Sequence, residues 1–95
     1  MERRVVITGM GAVSCVGNSV PAMWDSLVNG RSGIGIVSRF DPARYKTQIA
    51  GEVKDFSISS YMPEKEARRL DLFCHYAIAA SDEAIKMAGF ARDLS

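Results

Sequence analysis

Arg4-Val5-Val6-Ile7-Thr8-Gly9-Met10-Gly11 is the stretch on which the fold turns. Val5, Val6 and Ile7 are β-branched and consecutively apolar rather than alternating, so they predict a short strand over 4–8, buried on both faces. Such strands lie inside parallel sheets with helices packed on each side, which makes the fold class α/β. Gly9-Met10-Gly11 then predicts a tight turn, followed by loop over 12–18.

Downstream, Asn18-Ser19 supplies a helix start, and Pro21 falls in the first turn, where its missing N–H costs least. Met23-Trp24 and Leu27-Val28 recur at helical spacing and Gly30 supplies the stop, so a helix is predicted over 20–29. Residues 31–45 carry Gly33, Gly35 and Asp41-Pro42 and read as turns, with one short strand at 34–37. A second strand is expected within 47–53, with Ile49, Gly51 and Val53 on one face, and residues 54–61 read as connection. The longest element begins near Pro63. Leu70, Phe73-Cys74, Ala77-Ile78, Ser81, Ala84-Ile85 and Ala88 repeat at three and four residues and form one apolar stripe. Gly89 is placed for a left-handed cap, with Phe90 as its hydrophobic contact.

A doubly buried first strand needs several neighbours and two helical layers, more than these elements supply. The chain also stops at Ser95, just after a helix, where an α/β chain delivers its next strand. The expectation is an amino-terminal piece of a longer protein.

The 95 residues hold one small domain or part of a larger one, and 47% hydrophobic with 24% charged residues is ordinary globular composition. Twelve Lys+Arg against eleven Asp+Glu leave +1, so the net charge implies neither nucleic acid nor membrane as a partner. Eight Gly, three Pro and two Cys exclude collagen-like and disulfide-scaffold classes. No run approaches the roughly 18 apolar residues of a spanning helix. Arg3-Arg4 precede an apolar run, as in a signal peptide. Gly9, Gly11, Gly17 and Asn18 interrupt that run, so the chain is read as cytoplasmic, with reduced cysteines.

Gly9-Met10-Gly11 after a strand invites a phosphate-loop reading, but position 14 is Ser14, Gly17 comes too late, and no Gly-Lys-Ser/Thr follows. The glycines are read instead as permitting a turn and close packing, and no cofactor is expected. Cys74 falls on the apolar stripe and reads as an inert buried thiol, and Cys15 has no cationic neighbour in sequence. His75 is adjacent to Cys74 and points about 100° away around the helix, so the two make no catalytic pair. One His and two distant Cys assemble no metal site.

The most informative charges are in Pro63-Glu64-Lys65-Glu66-Ala67-Arg68-Arg69. Lys65, Arg68 and Arg69 are three and four residues apart, which lines them along one face of the opening helical turns. Cations near a helix N-terminus oppose its dipole. An external anionic partner accounts for them, and so does pairing with Glu64, Glu66 and Asp71 on a solvated face; charge pattern leaves both readings open.

Four blocks resemble the β-ketoacyl-(acyl-carrier-protein) synthases. They are residues 3–14 with Val16-Gly17-Asn18; Leu27-Val28-Asn29-Gly30-Arg31-Ser32-Gly33-Ile34; Phe40-Asp41 with Ala50-Gly51-Glu52-Val53-Lys54-Asp55-Phe56; and residues 65–73 leading into Tyr76-Ala77. The third block is similar to the synthase II branch in particular. The resemblance implies a thiolase-like, five-layer αβαβα fold, of which residues 1–95 are the amino-terminal portion of the N-terminal domain. It also implies a cytoplasmic, homodimeric enzyme of fatty acid elongation that needs no small-molecule cofactor. In that reaction an acyl chain moves to a cysteine, malonyl-carrier protein loses CO2, and the carbanion attacks the thioester.

By the same resemblance the nucleophilic cysteine and two assisting histidines lie beyond residue 95. Cys15 stands where relatives carry proline, Cys74 and His75 belong to the structural helix, and no residue here takes a catalytic role. The chain alone is therefore expected to be inactive. One role carries over: the family's basic cluster docking acyl carrier protein matches Lys65, Arg68 and Arg69. The rivals are a synthase I or polyketide ketosynthase and a noncatalytic chain-length-determining partner subunit.

Overall fold

Ser19 starts the first helix as its sequence context predicts: its backbone is extended and its hydroxyl accepts from the Ala22 N–H at 3.2 Å. A computed structural model of the protein describes residues 2–90. The described residues divide into two units, one of residues 13–56 and the other of residues 2–12 with 57–90.

In the unit of residues 13–56, helix α1 spans Val20–Val28 with Pro21 in its first turn. Strands β1 (Ile34–Ile36) and β2 (Ile49–Gly51) pair antiparallel, with Ile34 opposite Gly51 and Ile36 opposite Ile49. Both predicted strands are thus present and shorter than expected. Polar groups tie these elements together. Ser26, buried on α1, donates its hydroxyl to the Val16 carbonyl at 2.7 Å. The Lys54 ammonium donates to three carbonyls, those of Gly33 at 2.9 Å, Glu52 at 3.2 Å and Cys15 at 3.4 Å, which uses all three of its protons.

Glu52 closes the ribbon. Its carboxylate accepts from the Ser38 hydroxyl at 2.9 Å, the Ser38 N–H at 3.1 Å and the Arg39 N–H at 3.3 Å. The Ser38 hydroxyl leads in holding its pKa below the ordinary carboxylate value; desolvation opposes it, and the backbone N–H groups of Ser38 and Arg39 and the Arg39 charge add to the lowering.

In the other unit, a 3-10 turn at Ile58–Ser60 leads to a one-turn helix, α2 (Glu64–Ala67), and then to α3 (Leu72–Ala88). The single helix expected from Pro63 onward is therefore two. Asp71, at φ −73° and ψ 162°, is extended and breaks the path, and α3 starts directly after it. The C-terminal end agrees with expectation. Gly89 has φ 83°, its N–H bonds to the Lys86 carbonyl and that of Phe90 to the Ile85 carbonyl, both at 3.2 Å, although the Phe90 ring stays exposed.

Residues 9–12 lie along α3. A Cβ on Gly9 would strike the Ala84 carbonyl oxygen, and one on Gly11 that of Ala80, so the absence of side chains is what lets the segment approach. The Met10 N–H donates to the Met87 sulfur at 3.3 Å and the Ala12 N–H to Glu83 Oε1 at 3.0 Å. The close packing expected of these glycines is present, but the tight turn expected at Gly9-Met10-Gly11 is not, because the segment runs along α3 instead.

Two expectations of burial are corrected. Residues 4–8 form no strand, and Val5, Val6 and Ile7 are 95%, 67% and 84% exposed. The cause is physical: a strand needs a hydrogen-bonded neighbour, and among the described residues none pairs with it. The α3 stripe is also largely open, with Phe73 70% exposed and Ala77 and Ser81 at the surface. A groove of about 350 Å³ runs there, lined by Ala77, Ile78, Ser81, Asp82 and Ile85. Among the described residues the only buried apolar side chains are Ala67 and Ala79, and Asp82, also buried, pairs with Lys86 at 2.9 Å.

Candidate functional site

The basic cluster sits at an elbow rather than on the opening turns of a long helix. Pro63 precedes α2 with ψ 138°, and Glu64 and Glu66 occupy the first turn, where carboxylates suit the helix dipole. Lys65 is on α2. Arg68 caps it with helical φ −63° and ψ −20°, and Arg69 follows in the turn. The turn is closed by Arg68 N–H to the Glu64 carbonyl, Arg69 N–H to Glu66 and Leu70 N–H to Ala67, at 3.0–3.2 Å.

Ala67 is 2% exposed and anchors this turn, while Lys65, Arg68 and Arg69 are all exposed. None of the three cations takes part in the ion pairs found among the described residues, which join Arg31 to Asp25, Arg39 to Glu52 and Lys86 to Asp82. The pairing with Glu64, Glu66 and Asp71 that the charge pattern left open is therefore not made. Three unengaged cations on one short turn suit a carboxylate- or phosphate-bearing surface more than an internal role.

Catalytic candidates do not assemble. Cys15 and Cys74 are free thiols, both half-buried. Among the described residues no three His, Cys, Asp or Glu side chains gather as a metal site. His75 turns instead to the elbow: its Nε2 lies 2.8 Å from the Ala67 carbonyl, and since a carbonyl only accepts, Nε2 carries the proton. The bond spans eight residues and was invisible to a reading that ran one helix through Arg68 and Asp71. A second concavity of about 250 Å³ is lined by residues 14–18 with Lys54 and Asp55, but the Lys54 donors are already occupied by carbonyls. Among the described residues no helix is long and apolar enough to cross a membrane.

Comparison with known proteins gives a consistent result. The family model for the β-ketoacyl synthase N-terminal domain matches residues 2–94. A 3-oxoacyl-[acyl-carrier-protein] synthase 2 of Synechocystis is 45% identical over 87 residues, 92% of this chain and 21% of the relative. The Vibrio harveyi protein of the same name is 48% identical over 88 residues, and that of Staphylococcus aureus strain COL 48% over 87. The chain thus spans about a fifth of the length of these relatives. A solved structure described as the ishigamide ketosynthase/chain length factor superposes with a TM-score of 0.82 at 33% identity, covering 98% of this chain and 23% of that one.

Proposed function

The chain belongs to the β-ketoacyl synthase family and carries an incomplete portion of its thiolase-like α/β fold, and on that premise we propose that it is the amino-terminal part of a synthase II-type condensing enzyme. The observation that carries the reading is the 45–48% identity to 3-oxoacyl-[acyl-carrier-protein] synthases 2 along 92–93% of its length. The parent enzyme is cytoplasmic and homodimeric, and it elongates fatty acids. A cysteine beyond residue 95 takes the acyl group and releases the carrier thiol. Malonyl-carrier protein then loses CO2, and the resulting carbanion attacks the acyl thioester and expels the cysteine thiolate. Residues 1–95 contribute no catalytic side chain, and alone they are inactive.

Their contribution to turnover is docking. Acyl carrier protein is the partner, and Lys65, Arg68 and Arg69 are its contacts, where complementary charge speeds and orients a transient encounter. In the full-length protein, Arg68→Glu with Arg69→Glu weakens carrier-protein binding at low salt and leaves the thermal midpoint unchanged. Unaltered affinity removes the docking assignment.

One observation favours a second reading, a ketosynthase or chain-length-determining subunit of a polyketide system: the structural match to a ketosynthase/chain length factor. Full-length protein supplied with acyl- and malonyl-carrier protein separates an active condensing enzyme of either system from the noncatalytic subunit. Release of CO2 with formation of 3-oxoacyl-carrier protein supports the condensing enzyme. Carrier-protein binding without condensation marks the noncatalytic subunit.

A further inference from the structure

We propose that His75 is a positioning residue for the basic elbow, holding Lys65, Arg68 and Arg69 in the arrangement that meets the partner; this rests on the docking reading above. A four-residue helix does not persist in water on its own, because nucleation of a single turn is unfavourable. Something must therefore fix α2 and the turn after it. Chain continuity with α3 does not, since Asp71 is extended and interrupts the helical path between them.

α2 packs against the 3-10 turn at Ile58–Ser60, and two further contacts, which converge on one residue, hold it from the C-terminal side of the chain. Ala67 is buried through its methyl group, and its carbonyl accepts from the Leu70 N–H at 3.0 Å and from His75 Nε2 at 2.8 Å. His75 stands in the first turn of α3, a 17-residue helix, so its ring ties the short turn to the longer element. Ala67 lies between Lys65 and Arg68 in the chain, which makes the tie the point about which the three cations are displayed. Without the bond, the Ala67 carbonyl keeps only its local partner, and residues 64–70 gain freedom that binding must then remove.

The test uses full-length protein and an acidic carrier protein, with affinity measured across a salt series and folding checked by circular dichroism. His75→Gln keeps an N–H donor at similar reach, whereas His75→Met keeps the length and removes the donor, with His75→Ala as a second donor-free variant. The expected result is that His75→Met and His75→Ala lose about two- to tenfold in affinity, the range of one hydrogen bond. Their salt dependence is also shallower, because fewer cations engage at once, and His75→Gln restores both affinity and slope.

If the donor-free variants bind like the parent while Arg68→Glu with Arg69→Glu does not, the positioning role is overturned and docking stands. Loss without rescue by His75→Gln also overturns it. If charge reversal at the arginines has no effect either, the docking reading fails and this inference fails with it.

Discussion

Residues 13–56 and the unit of residues 2–12 with 57–90 are held by different means, and the contrast shows which part of the sequence was written for local closure and which for a larger core. In the first unit the restraints are polar and internal: Ser19 caps α1, Ser26 bonds to Val16, Lys54 gathers three carbonyls, and Glu52 closes the ribbon. In the second the strongest signals are apolar and mostly unanswered. Val5, Val6, Ile7 and the α3 stripe have the patterning of buried elements and are exposed or half-buried, while Gly9 and Gly11 approach α3 closely. Patterning records the environment for which a segment was selected, and here it exceeds what 95 residues supply.

The largest effect that would break this comparison is expected at Val6. Val6→Lys leaves the isolated chain unchanged, since the side chain is already in solvent, but is expected to cost the full-length protein more than about 3 kcal/mol by burying an unpaired charge. Soluble yield and thermal midpoint of both forms read the difference. Equal tolerance in both would show that residues 4–8 stay exposed.

Gly11→Ala follows, with an expected loss of about 1–3 kcal/mol, because the added methyl meets backbone of α3 rather than a movable side chain. A denaturation midpoint equal to that of the parent would remove the close-approach argument. Lys54→Met sharpens the description of the other unit. It removes three donors, and loss of about 1–2 kcal/mol is expected, with the damage confined to residues 13–56 in amide exchange.

The smallest effect is set by pH at Glu52. Its folded pKa is lowered, so its contribution is present above the unfolded carboxylate value and disappears as pH falls through the folded one. Between Glu52 and Glu52→Gln, the difference in melting temperature should therefore be constant at neutral pH and vanish in acid. A difference that does not shrink as the pH falls below the ordinary carboxylate range contradicts the assignment.

Legibility in the sequence followed the range of the forces. Helix α1 was readable because Ser19, Pro21 and Gly30 act within a turn of themselves, and the end of α3 because Gly89 permits a left-handed residue. The break at Asp71 was not, since Leu70, Leu72 and Phe73 continue a helical pattern and no Pro or Gly interrupts it. Nor was the part played by Lys54, which lies in a stretch that reads as connection yet reaches carbonyls 21 and 39 residues earlier. At the candidate site, the identities of Lys65, Arg68 and Arg69 were legible from charge spacing and family resemblance. The lack of ion pairs from these three among the described residues and the His75 tie required coordinates, because both depend on the elbow.

Residues 4–8 form no strand in this chain, and their apolar run is patterned for burial in the complete family fold, of which the chain spans about a fifth. Amide hydrogen exchange at Val5, Val6 and Ile7, compared between the 95-residue chain and the full-length protein, tests this claim most directly. Near-unprotected exchange is expected in the short chain and protection approaching the global stability in the long one. Equal rates in the two, at either extreme, would contradict it.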